Sequence, residues 1–145
     1  IETIYNRDIN NSVRREYDGS HLQLSGLSHF SPRSYQKDAV WMLLQQDGGI
    51  IDHKVGAGKT LVIISTAMEM RRLGLAQKPL IICMKANVAD VAKDFRKAYP
   101  DAKVLAPDPQ KDFTKQNRQR IFASIVANDW DAVIITHDMF MAIPQ

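Results

Sequence analysis

The chain has 145 residues, 45% of them hydrophobic and 24% charged, with a formal net charge of +3. That is one domain's length with apolar side chains enough for a single core, which excludes general disorder. Apolar runs such as Leu80-Ile81-Ile82-Cys83-Met84 fall far short of the ~20 residues that span a bilayer, so no membrane partner is expected.

A lone cysteine, Cys83, excludes an internal disulfide framework and a four-cysteine zinc site. A reducing, cytoplasmic setting is expected, and Ile1 to Asp8 lacks the basic start and apolar run of a leader. His21, His29, His53 and His137 lack metal-ligand spacing. The charge is too mild to argue for nucleic acid by itself. Its excess lies between Lys85 and Arg120, with nine basic residues against five acidic. A polyanion-facing surface could lie there, although a solvated helix face is the simpler reading of each base alone.

In chain order, residues 1–30 carry dense turn chemistry and read as a loop-rich N-terminal arm, with a short extended piece at Val13 to Tyr17. Residues 31–145 read as one α/β unit. Ser31-Pro32 predicts a helix start, with Ser31 as cap and Pro32 in the first turn. Tyr35, Ala39, Met42 and Leu43 follow at helical spacing, and Asp47-Gly48-Gly49 ends the pattern. Ile50-Ile51 predicts a short buried strand, and a long helix is expected from Lys59 to Leu73. Then come a strand at Pro79 to Met84, a helix at Val88 to Tyr99 and a strand at Lys103 to Leu105. A loop at Pro107 to Phe113, a helix at Thr114 to Ala127 and a strand at Ala132 to Ile135 complete the pattern. Alternation with near-continuous apolar strands predicts a parallel sheet covered on both faces.

The most informative run is Asp52-His53-Lys54-Val55-Gly56-Ala57-Gly58-Lys59-Thr60, between an expected strand and an expected helix. That is the context a phosphate-binding loop requires. Gly56 and Gly58 open backbone angles closed to other residues. The N–H groups of Gly56 to Thr60 are expected to converge on a β-phosphate at the helix N-terminus. Lys59 would reach the β/γ-phosphates, and the Thr60 hydroxyl would join the shell of Mg²⁺, making ATP and Mg²⁺ the expected cofactors. His53 stands where the general Walker A pattern has glycine. It reads as a structural or rim residue rather than a catalytic base.

Upstream, Arg33-Ser34-Tyr35-Gln36-Lys37-Asp38-Ala39-Val40 resembles the Arg-x-x-Gln segment that opens the motor of superfamily-2 helicases of the Swi/Snf type. The resemblance implies the first RecA-like lobe, a three-layer P-loop NTPase, with Gln36 reading adenine and Arg33 beside the nucleotide. Pro79 to Val88 resembles motif Ia, and Ala132 to Phe140 the next strand and its Thr-containing loop. Lys85, Asn87, Thr136 and His137 are thereby implied as contacts to a DNA backbone, which position a strand without reading its sequence. Three phrases narrow the likeness: Arg15 to Leu22, Glu69 to Ala76, and Asp129 to His137. They are similar to the large helicase–adenine-methyltransferase polypeptides of phages and mobile elements. Lys54 stands where that family has glutamate, and Met84-Lys85-Ala86-Asn87 replaces its Pro-Asn-His run.

Hydrolysis of ATP needs a carboxylate pair after an apolar strand, and no Asp-Glu pair occurs in the chain. Asp138 is a poor stand-in, and family order puts the Asp-Glu box one strand later, beyond Gln145. The chain therefore reads as the N-terminal part of an incomplete lobe, part of a larger DNA-dependent ATPase and without turnover alone. Its expected partners are DNA and a second RecA-like lobe of the same polypeptide. The alternatives are a non-catalytic P-loop interaction module and a P-loop small-molecule kinase. Trp41, Trp130, Met68, Met70 and Cys83 read as packing, and Arg71 and Arg72 as complements to a helix dipole.

Overall fold

A computed structural model describes residues 15–46, 48–112 and 114–144. The first helix, α1, spans Ser34–Gln45 and buries Gln36, Ala39 and Val40. It starts two residues later than Ser31-Pro32 predicts. Arg33 is still extended, and the cap comes from Gln36, whose Oε1 accepts the Arg33 N–H at 2.8 Å. The side chain three residues in thus reaches back to an orphan donor, as in half of a capping box.

Helix α2 spans Lys59–Arg72, and Val62, Ile64, Ser65, Thr66, Ala67 and Glu69 are buried along it. Strand β1 is Leu80–Cys83, α3 is Val88–Ala98, β2 is Val104–Leu105, α4 is Lys115–Ala127 and β3 is Ala132–Thr136. The helices and strands of this alternating part fall within one or two residues of their predicted bounds. Two short elements were not predicted: a 3₁₀ turn at Lys85–Asn87 and helix α5 at His137–Met141.

The three strands are parallel in the order β1-β3-β2, with Leu80 opposite Val133, Cys83 opposite Thr136 and Val104 opposite Ala132. Period-two alternation sends β3 into two cores. Ala132 and Ile134 pack with Ile64 and Ala67 of α2 and with Val88, Ala92 and Phe95 of α3. Val133 and Ile135 pack with Met139, Ile121, Ile125 and Trp130 on the other face. Helices therefore cover both faces of the sheet, and the expected three-layer α/β architecture is present.

Ile50-Ile51 is a correction. The segment belongs to no ladder among the described residues, and Ile50 is 91% exposed rather than buried. β-branched residues make a strand only where a partner supplies hydrogen bonds, and none of the three strands runs beside this pair. Ile51 packs instead against a small core of Leu22, Leu24, Ala39, Val40 and Val62.

That core also accounts for the arm. Residues 15–30 are irregular, as their turn chemistry predicts, yet Leu22 and Leu24 are 6% and 3% exposed. The Gly19 N–H donates to Asp38 Oδ1 at 2.8 Å, and the Ser28 N–H donates to the Ala98 carbonyl at 2.7 Å. A Cβ at Gly19 would overlap the Lys37 carbonyl, so glycine is what lets the arm lie on α1. His21 packs edge-on against Trp41, with centroids 4.4 Å apart. Val13 and Arg14 of the expected extended piece lie outside the described residues.

Candidate nucleotide site and nucleic-acid face

The loop from His53 to Gly58 is shaped by two glycines. Gly56 has φ +83° and Gly58 φ +80°, both in the left-handed region that an L side chain resists. Gly58 is also the N-cap of α2, and no side chain there accepts from the helix's first N–H groups. An uncapped, partly positive helix end thus faces the loop. Lys59 is exposed at this end and Thr60 half-buried. Beside them lies a cleft of about 490 Å³, lined by Val55, Gly56, Gly58, Lys59, Thr60, Phe30 and Asp94, among others. Val55 is fully exposed at the loop's tip.

One amide of the expected converging set is committed within the loop. The Ala57 N–H donates to the Lys54 carbonyl at 3.1 Å and closes a turn within the loop. The Ala57 carbonyl points the other way, towards α1. It accepts from Tyr35 Oη at 3.0 Å and Gln36 Nε2 at 3.3 Å, and Gln36 Nε2 also meets the Gly58 carbonyl at 3.2 Å. Gln36 is 7% exposed. Both hydrogens of its amide nitrogen are committed to loop carbonyls, and Oε1 keeps one lone pair beyond the Arg33 N–H. A Cβ at Gly58 would overlap that nitrogen, a second reason for glycine there.

Arg33 itself is exposed. His53 is half-buried and packs edge-on against Tyr35 with centroids 5.3 Å apart, while its Nδ1 is buried without a hydrogen-bond partner. A second hollow of about 340 Å³ opens on this side of the loop, lined by Tyr17, Tyr35, Asp38, Asp52 and His53, with Met42 and Ile50 at its apolar wall. Sequence reasoning did not single out Tyr35 or Asp94. Tyr35 carries only a helical-spacing signal in the sequence, and Asp94 only its place among the five acids between Lys85 and Arg120.

The expected DNA contacts cluster elsewhere. Parallel pairing of Cys83 with Thr136 brings the C-terminal ends of β1 and β3 side by side. Lys85 and Asn87 follow one strand and His137 the other, all exposed. Lys85 Nζ lies 3.3 Å from Asp138 Oδ2. Thr136 differs from its neighbours. It is 1% exposed, and its hydroxyl accepts the Met139 N–H at 3.2 Å, capping α5. Asp138 is not among the residues lining the cleft beside Lys59 and Thr60; its carboxylate faces Lys85.

A network at the opposite ends of the strands ties the layers together. Arg71 donates to Asp131 Oδ1 at 2.6 Å and Asp129 Oδ1 at 2.8 Å, and Asp131 Oδ2 accepts the Lys103 N–H at 2.7 Å. Arg71 also reaches the Gln77 carbonyl. The guanidinium holds Asp129 below the ordinary carboxylate value. Burial pushes the Cys83 thiol up, which suppresses its thiolate. Among the described residues no three His, Cys, Asp or Glu side chains are placed to hold a metal, and no helix is long and apolar enough to cross a membrane.

A family model described as a probable helicase domain matches residues 41–145, most of the chain and all of the Gly-x-Gly-Lys-Thr loop. The chain belongs to that family. No curated protein matches the sequence. Among solved structures, this helicase domain is similar to the Sulfolobus solfataricus SWI2/SNF2 ATPase core, solved in complex with dsDNA. The TM-score is 0.64 at 17% identity, over 84% of this chain and 24% of that one. At that identity the likeness establishes a shared fold, part of a RecA-like ATPase core. The helicase domain described here spans about a quarter of that chain's length.

Proposed function

We propose that this helicase domain is the ATP-binding part of a DNA-dependent ATPase of the Swi/Snf type. The observation that carries the reading is the loop at Gly56 to Thr60: two glycines at positive φ ahead of an uncapped helix. These residues suit a polyphosphate. The free amides of Gly56, Gly58, Lys59 and Thr60 offer donors, Lys59 offers charge, and the Thr60 hydroxyl offers a hard oxygen for Mg²⁺. Bound Mg²⁺ would supply neutralisation of phosphate charge. Val55 and Ala57 form the loop's tip and turn, and His53 braces it against Tyr35. On the base side, the remaining Oε1 lone pair of Gln36 suits the amino group of adenine, with Arg33 at the rim.

DNA as partner is supported by Lys85, Asn87 and His137, which the sheet gathers on one exposed edge, and by the duplex held in the similar structure. Thr136 contributes there by capping α5 rather than by touching a phosphate. The 145 residues hold no Asp-Glu pair, so binding without turnover is the behaviour expected of them, with hydrolysis depending on the rest of a motor and its second lobe. A role in DNA modification or mobile-element biology rests on the sequence phrases alone. The family match removes the ground for a small-molecule kinase. Titration with a fluorescent ATP analogue tests the main reading: saturable, Mg²⁺-dependent binding is expected, with at least ten-fold loss in Lys59→Ala. Equal affinity in that variant would refute it.

A further inference from the structure

Lys85 and Asp138 stand on adjacent loops because β1 and β3 are parallel neighbours that end in register at Cys83 and Thr136. Two residues beyond each strand end, an ammonium and a carboxylate face each other at 3.3 Å, with side chains 56% and 61% exposed. Asp138 lies in the first turn of α5, a helix held in place by the buried Thr136 cap and by Met139, which is 1% exposed. The Asp138 backbone is therefore held on a supported element and its short side chain keeps the carboxylate close to it, while the lysine is a long, adaptable side chain. A carboxylate presents oxygens to an ammonium much as a backbone phosphate does.

We infer that Asp138 is a built-in competitor for the nucleic-acid phosphate that Lys85 would take. This rests on the proposed DNA reading and goes beyond it. Without DNA, Lys85 is neutralised by Asp138. Phosphate binding there exchanges one ion pair for another and leaves the Asp138 charge beside the strand, so the grip is deliberately light. Light contacts suit a motor that must release and re-engage the backbone. Salt dependence carries the same signature: a lysine already paired with a carboxylate brings less counterion release than an unpaired one.

Fluorescence anisotropy of a labelled duplex with the chain and its Asp138→Asn, Asp138→Glu, Lys85→Ala and double variants tests this. Asp138→Asn should tighten binding about two- to five-fold at low salt, the range of an exposed ion pair, and steepen the salt slope. Asp138→Glu, which keeps the carboxylate, should bind as the parent does. The gain from Asp138→Asn should shrink towards unity in the Lys85→Ala background, because the competition runs through Lys85. A gain undiminished in that background would overturn the inference, since general repulsion of DNA by Asp138 would explain it. No gain in Asp138→Asn while Lys85→Ala weakens binding would overturn the inference but leave the DNA reading intact. No binding by the parent, or parental binding by Lys85→Ala, would overturn both the inference and the role of Lys85 in the DNA reading. Both side chains are exposed, so the variants should keep the fold, which circular dichroism checks.

Discussion

Gly58 is where three requirements meet in one residue. It needs φ +80°, it starts α2, and it leaves room for the Gln36 amide. Gly58→Ala should cost roughly 1–2 kcal/mol for the left-handed backbone alone, with more from the overlap. Urea denaturation measures it, and adding Gln36→Ala should return the overlap part but not the backbone part. A shift below about 0.5 kcal/mol, the size of an ordinary surface change, would contradict the loop geometry. The same amide explains why α1 sits so close to the loop. Tyr35 and Gln36 hold the Ala57 and Gly58 carbonyls on one side, and the planar trans peptides turn the Gly58 and Lys59 amides towards the other. On the proposed nucleotide reading, removal of the exposed Lys59 side chain should show in binding rather than in stability.

At the scale of elements, the ends of the strands divide the labour. The C-terminal ends of β1 and β3 carry exposed Lys85, Asn87 and His137, while the N-terminal ends are sealed by Arg71, Asp129, Asp131 and the Lys103 N–H. Asp131 serves two donors from different elements and is mostly buried, with its side chain 24% exposed. Asp131→Ala should cost about 1 kcal/mol, the worth of partly buried hydrogen bonds to its two donors, whereas Asp129, 80% exposed, should matter less. The network also predicts acid sensitivity. Asp129 is held below 3.8 chiefly by hydrogen bonding to Arg71, and Asp18 below 3.8 chiefly by the Ser20 N–H. A depressed folded value means the unfolded chain binds the proton more readily. Their contribution is therefore present above pH 3.8 and lost as pH falls through the folded values. Denaturation midpoints compared at pH 7 and pH 3 should show the fall, and a smaller one in Asp129→Asn.

For the whole molecule, the arm matters as much as the layers it straps. Leu22 and Leu24 complete a core with α1 and α2, so residues 15–30 belong to the fold's stability although they form no helix or strand. Leu24→Ala should cost about 2–5 kcal/mol, the range for a buried leucine. Against a total of roughly 5–15 kcal/mol for a domain, that is a large share. A guanidinium denaturation series measures it, and an unchanged midpoint would show that the arm is not docked. The sheet itself is narrow among the described residues, three strands with β1 and β2 as edges, and the chain matches about a quarter of the Sulfolobus ATPase core.

Local chemistry in the sequence determined the four longer helices, the three parallel strands and the glycine turn ahead of α2, because apolar periodicity and a Gly-x-Gly-Lys-Thr run act over a few residues. The bounds of α2, α3 and α4 were legible for that reason. Tertiary structure decided the rest. Ile50-Ile51 looks like a strand, yet a strand exists only with a neighbour to pair with. Thr136 looks like a surface contact, yet its hydroxyl is spent on a helix cap that only the turn into α5 creates. Gln36 looks like a base reader, and its hold on the loop carbonyls comes from residues 21 and 22 positions away. Pairings of that range depend on how the chain packs, which no short window of sequence encodes.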